Sequence, residues 1–396
     1  MRLVHLSDLH LGYRQYQRLT PGGINQREAD VATTFRTAID RIIALDPDLI
    51  VIAGDVFHTV RPTNQAILHA FMQFGRLVHA RPEAIVILIA GNHDTPRSAE
   101  TGGILQLFAQ IGLHVIDREA RRLSFPDREL SVLAVPDVLG QQRPSLTPDS
   151  NARYNVMVLH GEVQGVLPAA AATEDRASVV ISPEELGAAR WDYVALGHYH
   201  VHREVAPNAF YSGSIDYTSA NPWGELYEER IGGVAGKGFV ERELATGEQT
   251  FHPLPPARPL IDLPPVSARG LSAAELDDRI RAAIDTCPGG IDEKIIRLLV
   301  RDVPRHIARE LDHKAIREYK RRALNFHLDV RRPEALRLHG TGAPGRRPAL
   351  KEIVREKLLA RSLSTDIDRE VLVERALAYL EEAQRVTLAP SAFPDI

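Results

Sequence analysis

Five short apolar runs in this 396-residue chain each stop abruptly in side chains that ligate metals or carry protons. The most constraining is Ala84-Ile85-Val86-Ile87-Leu88-Ile89-Ala90, which leads straight into Gly91-Asn92-His93-Asp94. A short continuous run rich in branched residues predicts a strand buried on both faces. In open α/β sheets ligands bind outside the carboxyl ends of the strands. The same arrangement recurs where Leu3-Val4-His5-Leu6 ends in Ser7-Asp8-Leu9-His10-Leu11-Gly12, and where Leu49-Ile50-Val51-Ile52-Ala53 ends in Gly54-Asp55-Val56-Phe57-His58. It recurs again where Asn155-Val156-Met157-Val158-Leu159 ends in His160-Gly161, and where Tyr193-Val194-Ala195-Leu196 ends in Gly197-His198-Tyr199-His200. Asp8 and His10 are two apart, so on an extended segment they point to one side.

Between the runs lie helical patterns. Val31, Phe35, Ala38, Ile39 and Ile42 share one face, and residues 63–80 form a second helix with Ile67, Leu68, Phe71, Phe74, Leu77 and Val78. Strand, helix and strand in succession predict a βαβ unit and a parallel sheet. A further helix is expected over residues 102–111. Short strands at 122–125 and 130–135 suggest a second, antiparallel or mixed sheet. Closing strands are expected at 210–214, 238–240 and 249–251, with Gly232, Gly233 and Gly236 in a flexible loop.

Composition sets limits on these readings. No apolar run approaches the ~20 residues that span a membrane. Met1 runs directly towards the first strand without a signal-peptide pattern, so a cytoplasmic protein is expected. Cys287 is the single cysteine, which excludes intrachain disulfides and a thiolate-rich zinc site. The net charge of −4 gives no global attraction to nucleic acid, so any such binding would use local patches.

Collected together, the strand ends offer Asp8, His10, Asp55, Asn92, His160, His198 and His200. This sulfur-free oxygen and nitrogen set suits two first-row divalent metals, with Asp55 able to bridge them. Two such ions ~3.5–4 Å apart can clamp a phosphate ester and acidify a water. His93, left over, could protonate a leaving oxygen or stabilise transition-state charge. Taken singly, each of these residues reads equally well as a satisfied polar group at a loop start.

Asp8-x-His10, Gly54-Asp55, Gly91-Asn92-His93-Asp94, His160 and Gly197-His198-Tyr199-His200 together resemble the motif set of the calcineurin-like metallophosphoesterases. The resemblance implies an α/β fold: a double β-sheet sandwich flanked by helices. It implies one metal on Asp8, His10, Asp55 and His200, and another on Asp55, Asn92, His160 and His198, with His93 as the acid or transition-state residue. Asp8-Leu9-His10-Leu11-Gly12-Tyr13 and Gly54-Asp55-Val56-Phe57-His58, followed by Arg61-Pro62-Thr63, resemble the SbcD-type DNA repair nucleases. That resemblance implies manganese as the activating ion, DNA as substrate and a homodimer, for which the helix over 63–80 is a candidate. It gives His58 a part in exonuclease action; a residue that merely orients Asp55 or a loop is the alternative. The loop over 18–25 departs from the family pattern in length and glycine content, which leaves open whether Tyr13, Arg14 and Arg18 contact DNA.

The nuclease domain is expected to span residues 1–255. Prolines at 253, 255, 256, 264 and 265 mark a boundary. After it comes a small α+β module over 256–335: a helix over 272–284 with a Ser272/Glu275 capping box, a strand over 294–300, a helix over 306–323 and a strand over 325–330. It resembles the capping domain that SbcD-type nucleases use to steer DNA. A glycine-rich linker over 336–347 leads to two amphipathic helices within 348–386. The first carries Leu350, Ile353, Val354 and Leu358 on one face; the second carries Ile367, Val371, Leu372, Leu377 and Leu380. Two such stripes ask for a partner, which the resemblance identifies as an SbcC-type ABC ATPase. A stand-alone phosphoesterase acting on nucleotides or phosphoproteins, and a non-enzymatic scaffold, are the alternative readings.

Overall fold

Alternation along the central strands sets the layers of the computed structural model, which describes residues 1–95, 103–140, 144–166, 176–333, 350–360 and 368–388. On β1 (Arg2–Leu6) and β2 (Leu49–Ala53), Val4, Leu6, Ile50 and Ile52 face one way, into a core shared with the helices. Leu3, Leu49, Val51 and Ala53 face the other way, into a core between two sheets. The first sheet has the order β14-β13-β1-β2-β3-β4. Its other strands are β3 (Ile85–Ile89), β4 (His114–Ile116), β13 (Gly238–Glu243) and β14 (Gln249–Pro253). β1 to β4 run parallel, and β13 is antiparallel to β1.

The second sheet has the order β11-β12-β10-β7-β6-β5. It comprises β5 (Arg121–Phe125), β6 (Leu130–Val135), β7 (Tyr154–His160), β10 (Tyr193–Gly197), β11 (Arg203–Ala206) and β12 (Ala209–Tyr211). β6, β7, β10 and β12 are parallel, with antiparallel strands at both edges. A two-stranded ribbon, β8 (Glu162–Val163) with β9 (Val180–Ile181), and the one-turn helix α3 (Pro183–Leu186) cover its outer face. This is the double mixed sandwich that the motif resemblance implies.

α1 (Gln26–Leu45) and α2 (Asn64–Ala80) pack on the outer face of the first sheet through Phe35, Ile39, Phe74 and Leu77. Asn25 caps α1 by accepting from Arg27 N, and Thr63 caps α2 by accepting from Ala66 N. The helix expected over 102–111 is a 3₁₀ helix, Ile104–Ile111, and residue 102 lies outside the described residues. Gly232, read as loop, is the last residue of a helix the sequence reading missed, α4 (Pro222–Gly232).

A parallel three-stranded sheet follows: β15 (Leu260–Ser267), β16 (Ile295–Arg301) and β17 (Asn325–Val330). With α5 (Ala273–Asp285) it closes a core of its own around Leu276, Ile280, Ile296 and Leu298. The Ser272/Glu275 capping box is present. Pro264 and Pro265, read as boundary markers, lie inside β15. They sit at the shift in register between Leu263 and Val266 on an edge strand, a position that proline tolerates. The single helix expected over 306–323 is two, α6 (Arg305–Glu310) and α7 (His313–Arg322). Asp312 interrupts them, because its carboxylate caps α7 at Lys314 N and Ala315 N.

The chain divides into two compact units, Met1–Pro333 and Glu334–Ile396. The linker expected over 336–347 lies outside the described residues. In the second unit α8 (Leu350–Ala360) packs against α9 (Arg369–Leu388). Among the described residues Val373 is buried there, whereas Val371, placed on the apolar stripe from sequence, is 50% exposed. Ile367 lies outside the described residues. Among the described residues, no helix is long and apolar enough to cross a membrane.

Candidate metal centre

Parallel strands bring their carboxyl ends to one edge of each sheet, and the sandwich brings the two edges together. β1 delivers Asp8 and His10, β2 Asp55, β3 Asn92 and His93, β7 His160, and β10 His198 and His200. The exits of β1 and β2 stay joined past the strands: Asp8 N donates to Gly54 O (3.0 Å), His10 N to Asp55 O (3.0 Å) and Leu11 N to Val56 O (2.9 Å).

Asp8 and His10 reach the centre by a route other than an extended segment. Both have left-handed backbone (φ 53° and 46°), as do Asp55 (53°) and His198 (107°). Four of the seven donor residues thus occupy a region that costs a side-chain-bearing residue about 1–3 kcal/mol, a kind of strain that clusters at functional sites.

The donor atoms converge around Asp55. Its Oδ2 lies 3.4 Å from His160 Nε2 and 3.8 Å from His10 Nε2, so one oxygen faces both halves of the site. On one side His10 Nε2 and His200 Nε2 are 2.9 Å apart. On the other, Asn92 Oδ1 lies 2.9 Å from His160 Nε2 and 3.2 Å from His198 Nδ1. Asp8, His10 and His200 can offer atoms within 4.8 Å of one another, and so can Asp8, Asp55 and His160.

These residues fit divalent cations on two grounds. Asp8 and Asp55 are essentially fully buried, and among the described residues no lysine or arginine pairs with either. Buried carboxylates without a counter-charge are costly. Burial pushes the Asp55 carboxyl up, and burial with the neighbouring histidines pushes His10 well down. The second ground is tautomer control, since His160, His198 and His200 are each held so that one nitrogen is turned inward. His160 Nδ1 donates to Ala53 O (2.8 Å), which leaves Nε2 as the inward acceptor. His200 Nδ1 faces Glu225 Oε1 at 3.2 Å, and His198 Nε2 lies 3.5 Å from Glu162 Oε1. Burial lowers His198, yet the Glu162 hydrogen bond and the Asp55 and Asp8 charges outweigh it and raise its pKa.

His93 lies beside the donor set, and with His10 and His58 it too can offer atoms within 4.8 Å of one another. Its Nδ1–H donates to His58 O (2.8 Å), and its backbone N–H donates to Asp55 Oδ1 (2.9 Å). Its ring meets His10 edge-on at 4.8 Å. His58 stacks on His93 at 5.3 Å and brings Nδ1 within 3.4 Å of His10 Nδ1. Tyr13 packs edge-on against His58 at 4.9 Å. Asp94 is buried and accepts from Val56 N, Phe57 N and Gly91 N at 3.0–3.1 Å, so it ties the Asp55 and Asn92 loops together. Burial, and then the Asp55 charge, push its carboxyl up to about 7.

Arg14 and Arg18, left open as DNA contacts, are engaged within the chain. Arg14 pairs with Glu28 at 2.7 Å, and Arg18 Nη2 donates to the carbonyls of Arg321 and Ala323 at 2.8 and 2.9 Å.

Sequence reasoning missed the carboxylates behind the histidines. Glu225 is 25 residues from His200 in sequence, and nothing local marks it. Glu162 was findable, because it directly follows His160-Gly161. The glycines were also under-read. A Cβ on Gly197 would lie 1.8 Å from Ala53 O and 2.9 Å from His160 Nδ1, and one on Gly54 (φ 93°) would lie 2.3 Å from His160 Nδ1. Gly197→Ala therefore forces β10 away from the end of β2. The expected result is a destabilisation of about 1–3 kcal/mol or more, read by denaturant unfolding, together with weaker binding of divalent metal.

The calcineurin-like phosphoesterase family model matches residues 1–202, just over half the chain and all of the strand-end residues. Several relatives carry the name DNA double-strand break repair protein Mre11, three of them as follows. The one from Methanococcus maripaludis is 27% identical over 260 residues, 62% of this chain and 63% of the relative. That from Sulfurisphaera tokodaii is 32% identical over 214 residues, 51% of this chain and 49% of the relative. That from Thermoplasma acidophilum is 25% identical over 314 residues, 76% and 73% respectively. The chain spans less than two thirds of the length of the first two. Motif, sandwich and family model agree, and the chain belongs to the calcineurin-like phosphoesterases.

Proposed function

We propose that this chain is a manganese-dependent DNA nuclease with exo- and endonuclease action, and a cytoplasmic subunit of an SbcCD-like double-strand-break repair complex. The observation that carries the reading is Asp55 Oδ2, set between His10 and His160 with Asp8, Asn92, His198 and His200 around it. In this reading Asp8, His10, Asp55 and His200 hold one ion, and Asp55, Asn92, His160 and His198 hold the other. When bound, such ions acidify a water and neutralise charge on the phosphoryl oxygens. The chain's own residues do the rest. Asp55 fixes the spacing between the two half-sites. The neutral Asn92 oxygen adds a donor without adding charge. His93 gives its Nδ1–H to the His58 carbonyl, so Nε2 is the nitrogen that meets the departing oxygen. In the imidazolium form Nε2 carries the proton that the oxygen needs. His58, packed on His93 and His10, holds the acid in line.

DNA as substrate rests on the relatives' name and on the module over 256–335, which would steer the duplex. Association of two copies is supported by Leu68 and Met72, one turn apart on α2 and exposed at 57% and 55%. Binding of an SbcC-type ATPase by the region over 348–386 is supported by apolar side chains left outside on α8 and α9, among them Leu359 and Val371.

The test is degradation of hairpin, blunt and single-stranded DNA with Mn²⁺, with and without the ATPase. The expected result is cleavage that a chelator abolishes. Hydrolysis of bis-p-nitrophenyl phosphate with DNA left untouched would favour the stand-alone phosphoesterase instead.

A further inference from the structure

Helix α4 touches the metal centre on one side and the β15–β17 module on the other. At its start Trp223 lies under the guanidinium of Arg297 from β16, 4.9 Å from the ring centroid. Arg297 Nε and Nη2 donate to the two oxygens of Asp262 on β15 at 2.9 and 2.7 Å. That bidentate pair fixes the orientation of the guanidinium over the indole. Two residues on, about 200° around the helix, Glu225 is buried beneath the site. Its Oε1 faces His200 Nδ1 at 3.2 Å, and its Oε2 takes the ammonium of Lys237. Lys237 is itself buried, lies 3.0 Å from Glu229 Oε1 and donates to His200 O at 2.7 Å. Tyr217 donates to Glu229 Oε2 (2.6 Å), and Tyr199 donates to Glu228. Three glutamates of one helix are thus stapled around the segment that carries His200.

We propose that α4 is a strut through which the β15–β17 module sets the aim of His200, with Glu225 as the positioning residue at one end and the Trp223–Arg297 stack as the coupling at the other. The inference rests on the metal-centre reading above. Glu225 accepts the Nδ1–H of His200, which fixes the tautomer and turns the Nε2 lone pair towards His10 and the half-site they share. Lys237 balances the charge of Glu225, so the buried carboxylate stays an anion while it accepts from His200. A change in the seating of the module moves Trp223, tilts α4 and carries Glu225 with it. The module's other polar ties end elsewhere. Arg258 pairs with Asp30 on α1 at 2.8 Å, and Arg18 holds the end of α7 from the 13–25 loop. α4 is the tie that reaches His200, whereas the 13–25 loop, which follows His10 in the chain, meets the module through Arg18.

The test is calorimetric titration of the full chain with Mn²⁺, without DNA and without an activity readout. The wild type is expected to bind two ions. Glu225→Gln weakens one of them by about 10- to 100-fold. Arg297→Ala weakens the same ion by about threefold or more and leaves the other unchanged. Arg297→Lys and Trp223→Phe, milder changes at the same contact, give intermediate losses and serve if the alanine variant fails to fold. Arg258→Ala, which loosens the module without touching α4, leaves both affinities as in the wild type. Equal affinities in wild type and all Arg297 and Trp223 variants would overturn the strut, as would equal losses in Arg258→Ala and Arg297→Ala. A wild type that binds no Mn²⁺ would overturn the metal-centre reading itself, and the strut with it.

Discussion

Replacing Asp55 with asparagine is expected to lower metal-dependent phosphodiester hydrolysis by about 10³-fold or more while leaving the fold intact. The shape of the side chain is kept, and its Oδ1 still accepts from His93 N. What disappears is the negative charge on the oxygen that faces both His10 and His160. Without it two cations have no shared anion between them, so Mn²⁺ stoichiometry is expected to fall below two. Stability supplies an independent readout. In the metal-free protein a buried carboxylate without a cationic partner costs folding energy. Metal-free Asp55→Asn is therefore no less stable than metal-free wild type, and it lacks the rise in melting temperature that Mn²⁺ gives the wild type through linkage. Thermal unfolding with and without Mn²⁺ checks both halves. An Asp55→Asn protein with full activity would remove Asp55 from the centre.

What was legible in the sequence follows from which forces act locally. β2 and β3 announce themselves because strands buried on both faces are continuous apolar runs. Their ends announce themselves because polar groups resume abruptly, and the order of those ends carried the family resemblance. β15 was hidden because Pro264 and Pro265 argue against a strand. Only the tertiary fact that β15 is an edge, with its register broken where the prolines lie, makes room for them. α4 was hidden because Asn221-Pro222-Trp223-Gly224 looks like a turn, and its three glutamates look like a solvated face. Glu225 and Glu229 point inward because Lys237 and His200 arrive from elsewhere in the chain to meet them, and Glu228 meets Tyr199. Val373 was passed over for Val371 because the buried face of α9 is chosen by α8, which the stripe alone does not specify. The left-handed backbone of Asp8 and His10 likewise follows from the pairing of the β1 and β2 exits, a contact between segments some forty residues apart.

Replacing His93 with asparagine is expected to separate binding from chemistry. His93 has its Nδ1 committed to the backbone carbonyl of His58, as His160 has to that of Ala53, and its backbone N–H is tied to Asp55 Oδ1. In the proposed reading its imidazole adds little to holding the ions and much to the fate of the leaving oxygen. Loss of a positioned general acid typically costs 10²–10⁴ in rate, and kcat on DNA should fall by about that much. Mn²⁺ affinity and stoichiometry should stay as in the wild type, and KM for DNA should change little. The leaving group refines the assignment. Bis-p-nitrophenyl phosphate releases a nitrophenolate that departs without a proton, so a residue acting as the acid matters less there. His93→Asn is then expected to lose far less activity on that ester than on DNA, whose departing alkoxide needs a proton. Equal losses on the two substrates would instead assign His93 to stabilising charge on the phosphoryl group, a role that does not depend on the leaving group.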